Sequence, residues 1–168
     1  LFARPYRIGR KLRPRNRVAR DDKIKYMNDD KKKIIENLIN QNRLAVLSTI
    51  TPENESESAI MEFSAGDNLE LVFDTLPTSR KYKNLGKNKT VSVVIGWEPA
   101  TIQYEGTAIE VVANELEKYK QIHFHKFPDA VKFEKFDMKF FKIIPKWIRF
   151  TDVSKQPWEV FEIEFPVS

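Results

Sequence analysis

The chain has 168 residues, 41% of them hydrophobic and 32% charged, which suits one globular domain around a single core. It contains no cysteine, which excludes disulfides, thiolate metal sites and a cysteine nucleophile, and no apolar run approaches the roughly 18 residues that a membrane span needs. The net charge of +5 belongs to the N-terminus: residues 1–20 carry eight basic side chains (Arg4, Arg7, Arg10, Lys11, Arg13, Arg15, Arg17, Arg20) and no acidic one, while the rest of the chain holds 21 basic against 24 acidic residues. The body is therefore mildly acidic, and a nucleic-acid function cannot be argued from the overall charge.

Residues 1–22 read as a basic extension outside the core, and residues 23–168 as the folded domain. The extension fits a binder of nucleic acid or an anionic surface, an organellar targeting segment, a remnant of cloning, or a merely solvated arm. From Asn28 the pattern turns helical. Ile34, Ile35, Leu38 and Ile39 make one apolar stripe, and Asp29 and Asp30 sit at the N-terminal end, where the helix dipole favours them. Strands are expected at Leu44–Ile50, Ser58–Ser64 and Leu69–Asp74, separated by polar turns at Thr51–Glu57 and around Gly66. Pro77 opens a short helix that covers Ser79–Gly86. Thr90–Gly96 and Thr101–Val112 are further strands, and Gly106 inside the second marks a bulge or a close backbone approach. Asn114 is the expected cap of a helix over Glu115–Phe127, which Pro128 ends. Strands then follow at Phe140–Ile144, Trp147–Thr151 and Trp158–Phe165. The stretch Lys132–Lys142 reads as strand, with phenylalanines inward and lysines outward, rather than as a base-stacking surface.

This gives six to eight short, mostly antiparallel strands with about three flanking helices and no βαβ alternation. The expected class is mainly β, a closed or partly closed barrel rather than a doubly wound sheet.

The segment with chemical content is Leu69–Leu85. A strand runs into a turn and then a helix, and Thr75, Ser79, Arg80 and Lys81 lie at the junction. Hydroxyls, two adjacent cations and free helix amides together make a phosphate site. The competing reading is an exposed basic helix start with both cations solvated.

The pattern Thr75-x-x-x-Ser79-Arg80-Lys81 after a strand resembles the flavin-phosphate motif of the pyridoxamine 5'-phosphate oxidase-like FMN-binding split-barrel proteins. Ile102-Gln103-Tyr104-Glu105-Gly106 resembles that family's next landmark, a strand whose Gln approaches the flavin. The order of elements over about Lys33–Phe165 is similar too. The resemblance implies a six- to eight-stranded antiparallel split β-barrel that binds FMN as a homodimer, with the flavin at the subunit interface. It implies that Thr75, Ser79, Arg80 and Lys81 hold the phosphate and that Gln103 lies near the ring. Backbone amides of Ile60, Met61 and Glu62 then face the pyrimidine edge, and Trp147, Arg149 and Trp158 are candidate ring contacts from the second subunit. For those three side chains, core or dimer packing and a surface ion pair are the competing account.

The implied activity is that of a cytoplasmic FMN-dependent oxidoreductase working with a small-molecule electron donor or acceptor. The alternatives are a non-catalytic flavin-binding or stress protein, or a split barrel that has turned to haem or a deazaflavin. No catalytic residue is assigned, and neither a membrane nor a metal is expected. Nucleic acid enters only through the tail. Two departures separate the chain from the vitamin B6 oxidase itself. Glu62 stands on the second strand where the oxidase carries cations, and no histidine follows His125 to form the terminal Arg-x-His motif. His123 and His125 form an H-x-H pair, but on a helix they point about 200° apart and cannot share a metal.

Overall fold

The computed structural model describes residues 29–166, so the basic extension, residues 1–22, lies outside the described residues. Three α-helices are described, α1 (Asp29–Gln41), α2 (Arg80–Lys87) and α3 (Leu116–Lys126). The strands are β1 (Leu44–Ile50), β2 (Ser56–Glu62), β3 (Ser64–Ala65), β4 (Leu71–Thr75), β5 (Thr90–Ile95), β6 (Ala100–Glu110), β7 (Lys139–Asp152) and β8 (Glu159–Glu164). They form one antiparallel sheet in the order β2-β1-β5-β6-β7-β4-β3, with β8 also on β7. The fold is mainly β, a sheet curled into a split barrel.

β7 explains the split. Leu71–Thr75 of β4 pairs with its first part, Lys139–Ile143, and β8 pairs with Trp147–Asp152 further along. β6 runs beside nearly the whole of β7. One long strand thus serves two short neighbours in succession, and the sheet can bend around it.

The bend has a local cause. The β6–β7 register shifts between Glu105 and Gly106, and Gly106 faces Pro145. Proline donates no ladder hydrogen bond, so a bulge is where a long strand tolerates it. A Cβ on Gly106 would stand 2.5 Å from the carbonyl oxygen of Ile144. That contact is to backbone, which cannot rotate away. Gly106→Ala is expected to destabilise the fold by about 2 kcal/mol, in the range of overpacked cores. The midpoint of urea unfolding measures it, and an unchanged midpoint would show that β7 shifts freely.

Alternation along β1 turns Ala45, Leu47 and Thr49 inward. Ala45 and Leu47 meet Ile35 and Ile39 of α1, Phe63, Phe73, Ile95, Ile102, Tyr104 and Ile143 in the main core. Tyr104 is almost fully buried, and its hydroxyl lies 3.1 Å from the Leu69 carbonyl and 2.9 Å from that of Ile143. A buried phenol needs such partners. α3 covers the other side of β4 and β7, where Val72, Val111, Tyr119 and Phe140 make a second cluster.

Several sequence expectations about these elements need correction. Phe140–Ile144 and Trp147–Thr151 are one continuous strand, because the bulge absorbs Pro145. The strand expected over Ser58–Ser64 is broken after Glu62, and only Ser64 and Ala65 resume pairing, with β4 instead of β1. Asn114 does not cap α3: it lies in a 3-10 turn, Ala113–Glu115, and the helix starts at Leu116 with no side-chain cap. Lys132–Phe136 is not strand but part of a 3-10 segment, Pro128–Phe136, which Asp137 closes in the left-handed conformation. Phe133 and Phe136 there are exposed, three residues apart, with ring centroids 6.3 Å from each other. Side chains at i and i+3 eclipse in a 3-10 helix, so the spacing that looked like loose alternation is the period of that helix.

Candidate functional site

The site is built where β4 ends. Thr75 is buried at the end of the strand, and the chain then turns through Leu76–Ser79, where the Ser79 amide donates to the Leu76 carbonyl at 3.0 Å. Pro77 occupies the second position of this turn, where its fixed φ fits. It therefore precedes the helix instead of opening it. Ser79 is the N-cap of α2, and its Oγ accepts the Tyr82 amide at 3.2 Å. Thr75 Oγ1 and Ser79 Oγ share a further hydrogen bond of 2.8 Å. Arg80 and Lys81 are then the first two helical residues, whose amides have no acceptor within the helix. Two hydroxyls, two cations and a helix N-terminus meet at one corner.

Acidic groups surround the corner. Nε of Arg80 lies 2.9 Å from Oε1 of Glu57 on β2, while most of the Arg80 side chain stays in solvent. Glu57 Oε2 accepts from Asn84 Nδ2 at 2.8 Å, and the same nitrogen reaches Thr49 Oγ1 at 2.9 Å. Asp74 precedes Thr75. Burial pushes its carboxyl up, Glu62 adds to that, and Lys81 pulls it back. Glu62 is exposed and pairs with Arg43 at 3.4 Å. Neither Glu57, Asn84 nor Thr49 was singled out by the sequence. Glu57 fell in an expected turn, and the three come from separate elements. The one local hint was the i, i+4 spacing of Arg80 and Asn84 on α2.

The other sequence candidates lie on the sheet. Gln103 on β6 is exposed and stands opposite Arg149 on β7. Arg149 faces Glu162 of β8, with Nη1 3.3 Å from Oε1, and Trp147 Nε1 donates to Oε2 of the same carboxylate at 3.3 Å. The register extends the row across β5 and β1, from Gln103 through Val94 and Val46 to Ile60. Ile60 is exposed and Met61 buried, as alternation on β2 requires. Ile60, Gln103 and Arg149 thus share one row, and Trp147 lies one step along the same face. The corner at Thr75–Lys81 is a separate group. Trp158 is exposed just before β8 and outside these pairings. β2 ends the strand path, so among the described residues one of its edges carries amides without a ladder partner.

His123 is fully buried and His125 exposed on opposite faces of α3. His123 Nδ1 is 3.3 Å from Ser64 Oγ, whereas Nε2 has no hydrogen-bond partner among the described residues and lies 3.8 Å from Asp74 Oδ1, beyond hydrogen-bond reach. Among the described residues no group of three or more His, Asp or Glu could hold a metal ion, and no helix is long and apolar enough to cross a membrane.

An antiparallel split barrel, with hydroxyls and cations gathered at a strand-to-helix junction, defines the class. The family model described as pyridoxamine 5'-phosphate oxidase matches residues 32–152. The chain belongs to the pyridoxamine 5'-phosphate oxidase-like family. No curated protein sequence matches it. Among solved structures, General Stress Protein 26 from Bacillus anthracis is similar with a TM-score of 0.59 and 22% identity, over 79% of this chain and 98% of that one. A pyridoxamine 5'-phosphate oxidase-related, FMN-binding protein from Nostoc punctiforme gives 0.59 and 10% identity, over 83% and 95%. A haem-binding protein from Mycobacterium smegmatis gives 0.69 and 14% identity over 77% of this chain, which spans only 56% of that protein. At such identities these likenesses concern the fold alone.

Proposed function

We propose that this chain binds FMN and works as a flavin-dependent oxidoreductase. The observation that carries the reading is the corner where Thr75, Ser79, Arg80 and Lys81 meet at the N-terminus of α2, in a chain whose fold is shared by an FMN-binding protein related to the same oxidase. The donor set fits a phosphate monoester. The first-turn amides and Lys81 supply positive charge, and the guanidinium of Arg80 keeps N–H groups free beyond the one that meets Glu57. Bound FMN would supply hydride or electron transfer through its isoalloxazine ring.

The chain's own residues have narrower tasks in this reading. Arg80, Lys81 and the α2 amides hold the phosphate. Thr75 and Ser79 fix the turn that aims those amides. Unpaired amides on the outer edge of β2, around Ile60–Glu62, meet the polar edge of the ring, and Gln103 approaches it from β6. A second copy of the chain completes the site as a homodimer. Exposed Ile60, Val160 and Trp158 on the barrel wall support such an interface, and Trp147, Arg149 and Trp158 are the side chains offered to the partner's flavin.

The visible spectrum of the purified protein, incubated with FMN and desalted, tests the proposal. Retained flavin bands that bleach with NADH or NADPH and return with an acceptor are the expected result. Flavin that binds but never turns over would reduce the protein to a flavin carrier. A Soret band, or no retained chromophore, overturns the reading.

A further inference from the structure

We infer that Glu57 is a positioning residue for the phosphate site: it sets the plane of the Arg80 guanidinium so that the free edge faces the ligand. The inference rests on the FMN reading above and deepens it.

A carboxylate beside an anion site looks misplaced, and an ion pair with so exposed an arginine is ordinarily worth little. Three observations set this pair apart. The Glu57 side chain is only 19% exposed against 78% for Arg80, so the acid is the fixed partner and the base the presented one. Both Glu57 oxygens are used, Oε1 by Arg80 Nε at 2.9 Å and Oε2 by Asn84 Nδ2 at 2.8 Å. Asn84 is itself buried and held at 2.9 Å by buried Thr49 on β1. The carboxylate is therefore locked by a chain that runs from β1 through α2 to β2.

The geometry of guanidinium does the rest. Its five N–H groups lie in one plane, and a contact at Nε fixes that plane while leaving the two terminal nitrogens unblocked. A phosphate accepts two parallel bonds from that terminal edge. Without Glu57 the side chain would sample several rotamers and lose that freedom each time a ligand bound. Asn84, one helical turn beyond Arg80 on α2, ties the helix to the same carboxylate, so the first-turn amides and the guanidinium are aligned by one group.

Charge and position must be separated in the test, since removing Glu57 also removes a repulsion. Glu57→Gln and Glu57→Ala lose the same charge, but only glutamine keeps an oxygen for Arg80 Nε. Its amide nitrogen is accommodated by rotation of the Asn84 amide, which then accepts from it and from the Thr49 hydroxyl. Dissociation constants for FMN and for riboflavin, which lacks the phosphate, are measured by flavin fluorescence for wild type and both variants, with thermal unfolding as a check on folding. The expected result is FMN binding about tenfold weaker in Glu57→Ala than in Glu57→Gln, with riboflavin binding equal in the two. Equal FMN affinity in both variants overturns the positioning role, as does a parallel loss for riboflavin. Wild-type protein that binds FMN no better than riboflavin would instead sink the phosphate-site reading itself.

Discussion

Replacing both cations of the corner, Arg80→Ala with Lys81→Ala, is expected to weaken FMN binding by on the order of 1.5–3 kcal/mol per lost charge-assisted contact. Both residues lie in the first turn of α2, next to the N-cap Ser79. Cations there oppose the helix dipole, so the helix gains nothing from them. Their removal should change stability little, because relief at the helix end offsets the lost pair with Glu57, while it removes the charge that a phosphate needs. The loss of Arg80 also frees Glu57, whose carboxylate then faces the ligand without its partner. Titration of the double variant with FMN measures the effect, and unfolding midpoints separate it from instability. Wild-type affinity in the double variant would show that these residues hold no phosphate. A riboflavin titration adds a control, because a ligand without the phosphate should be nearly indifferent to the change.

Acidification should destabilise the protein through His123. Burial, helped by the nearby Lys126, holds this imidazole down to about 4 against an ordinary 6.5, with the backbone of Val72 a weaker opposing influence. The side chain is fully buried among Phe124, Phe127 and Phe140. Between those two values the unfolded chain binds one more proton than the folded one. Stability is thus fully present above about pH 6.5 and falls as the pH drops toward 4, by about 3 kcal/mol over the whole window. Asp74, 3.8 Å from Nε2, works in the other direction. Its carboxyl is raised mainly by burial, so its contribution is present in acid and lost as the pH rises, which trims the loss at the acid end. Urea unfolding at pH 7 and at pH 4.5 compares wild type with His123→Phe, which cannot titrate and suits the aromatic surroundings. The variant should show a much flatter dependence. Parallel profiles would assign the acid sensitivity elsewhere.

Much of the fold was legible because the apolar pattern is local. The short apolar run LAVLSTI, bounded by polar residues, defines β1 as Leu44–Ile50, and the isoleucine stripe defines α1. Gly106 announced a bulge because close backbone approach is a demand that glycine meets. The 3-10 segment Pro128–Phe136 was misread because phenylalanines and lysines at short spacing satisfy a strand pattern and a 3-10 pattern alike. Sequence cannot choose between them without knowing that β7 starts only at Lys139.

The corner divides in the same way. Thr75, Ser79, Arg80 and Lys81 lie within seven consecutive positions, so their convergence follows from local turn and helix geometry. Glu57, Asn84 and Thr49 are far apart along the chain, and their hydrogen bonds exist only because the β1–β2 hairpin packs on α2. The burial of His123 likewise depends on α3 lying across β4 and β7. Residue order alone determined α1, β1 and the strand-to-helix turn that gathers Thr75, Ser79, Arg80 and Lys81, because backbone periodicity and capping act over a few residues. Tertiary structure alone decided which carboxylate orients Arg80, which histidine is kept neutral and which side chains share a row across the sheet, because desolvation and cross-strand register arise only when distant segments close on one another.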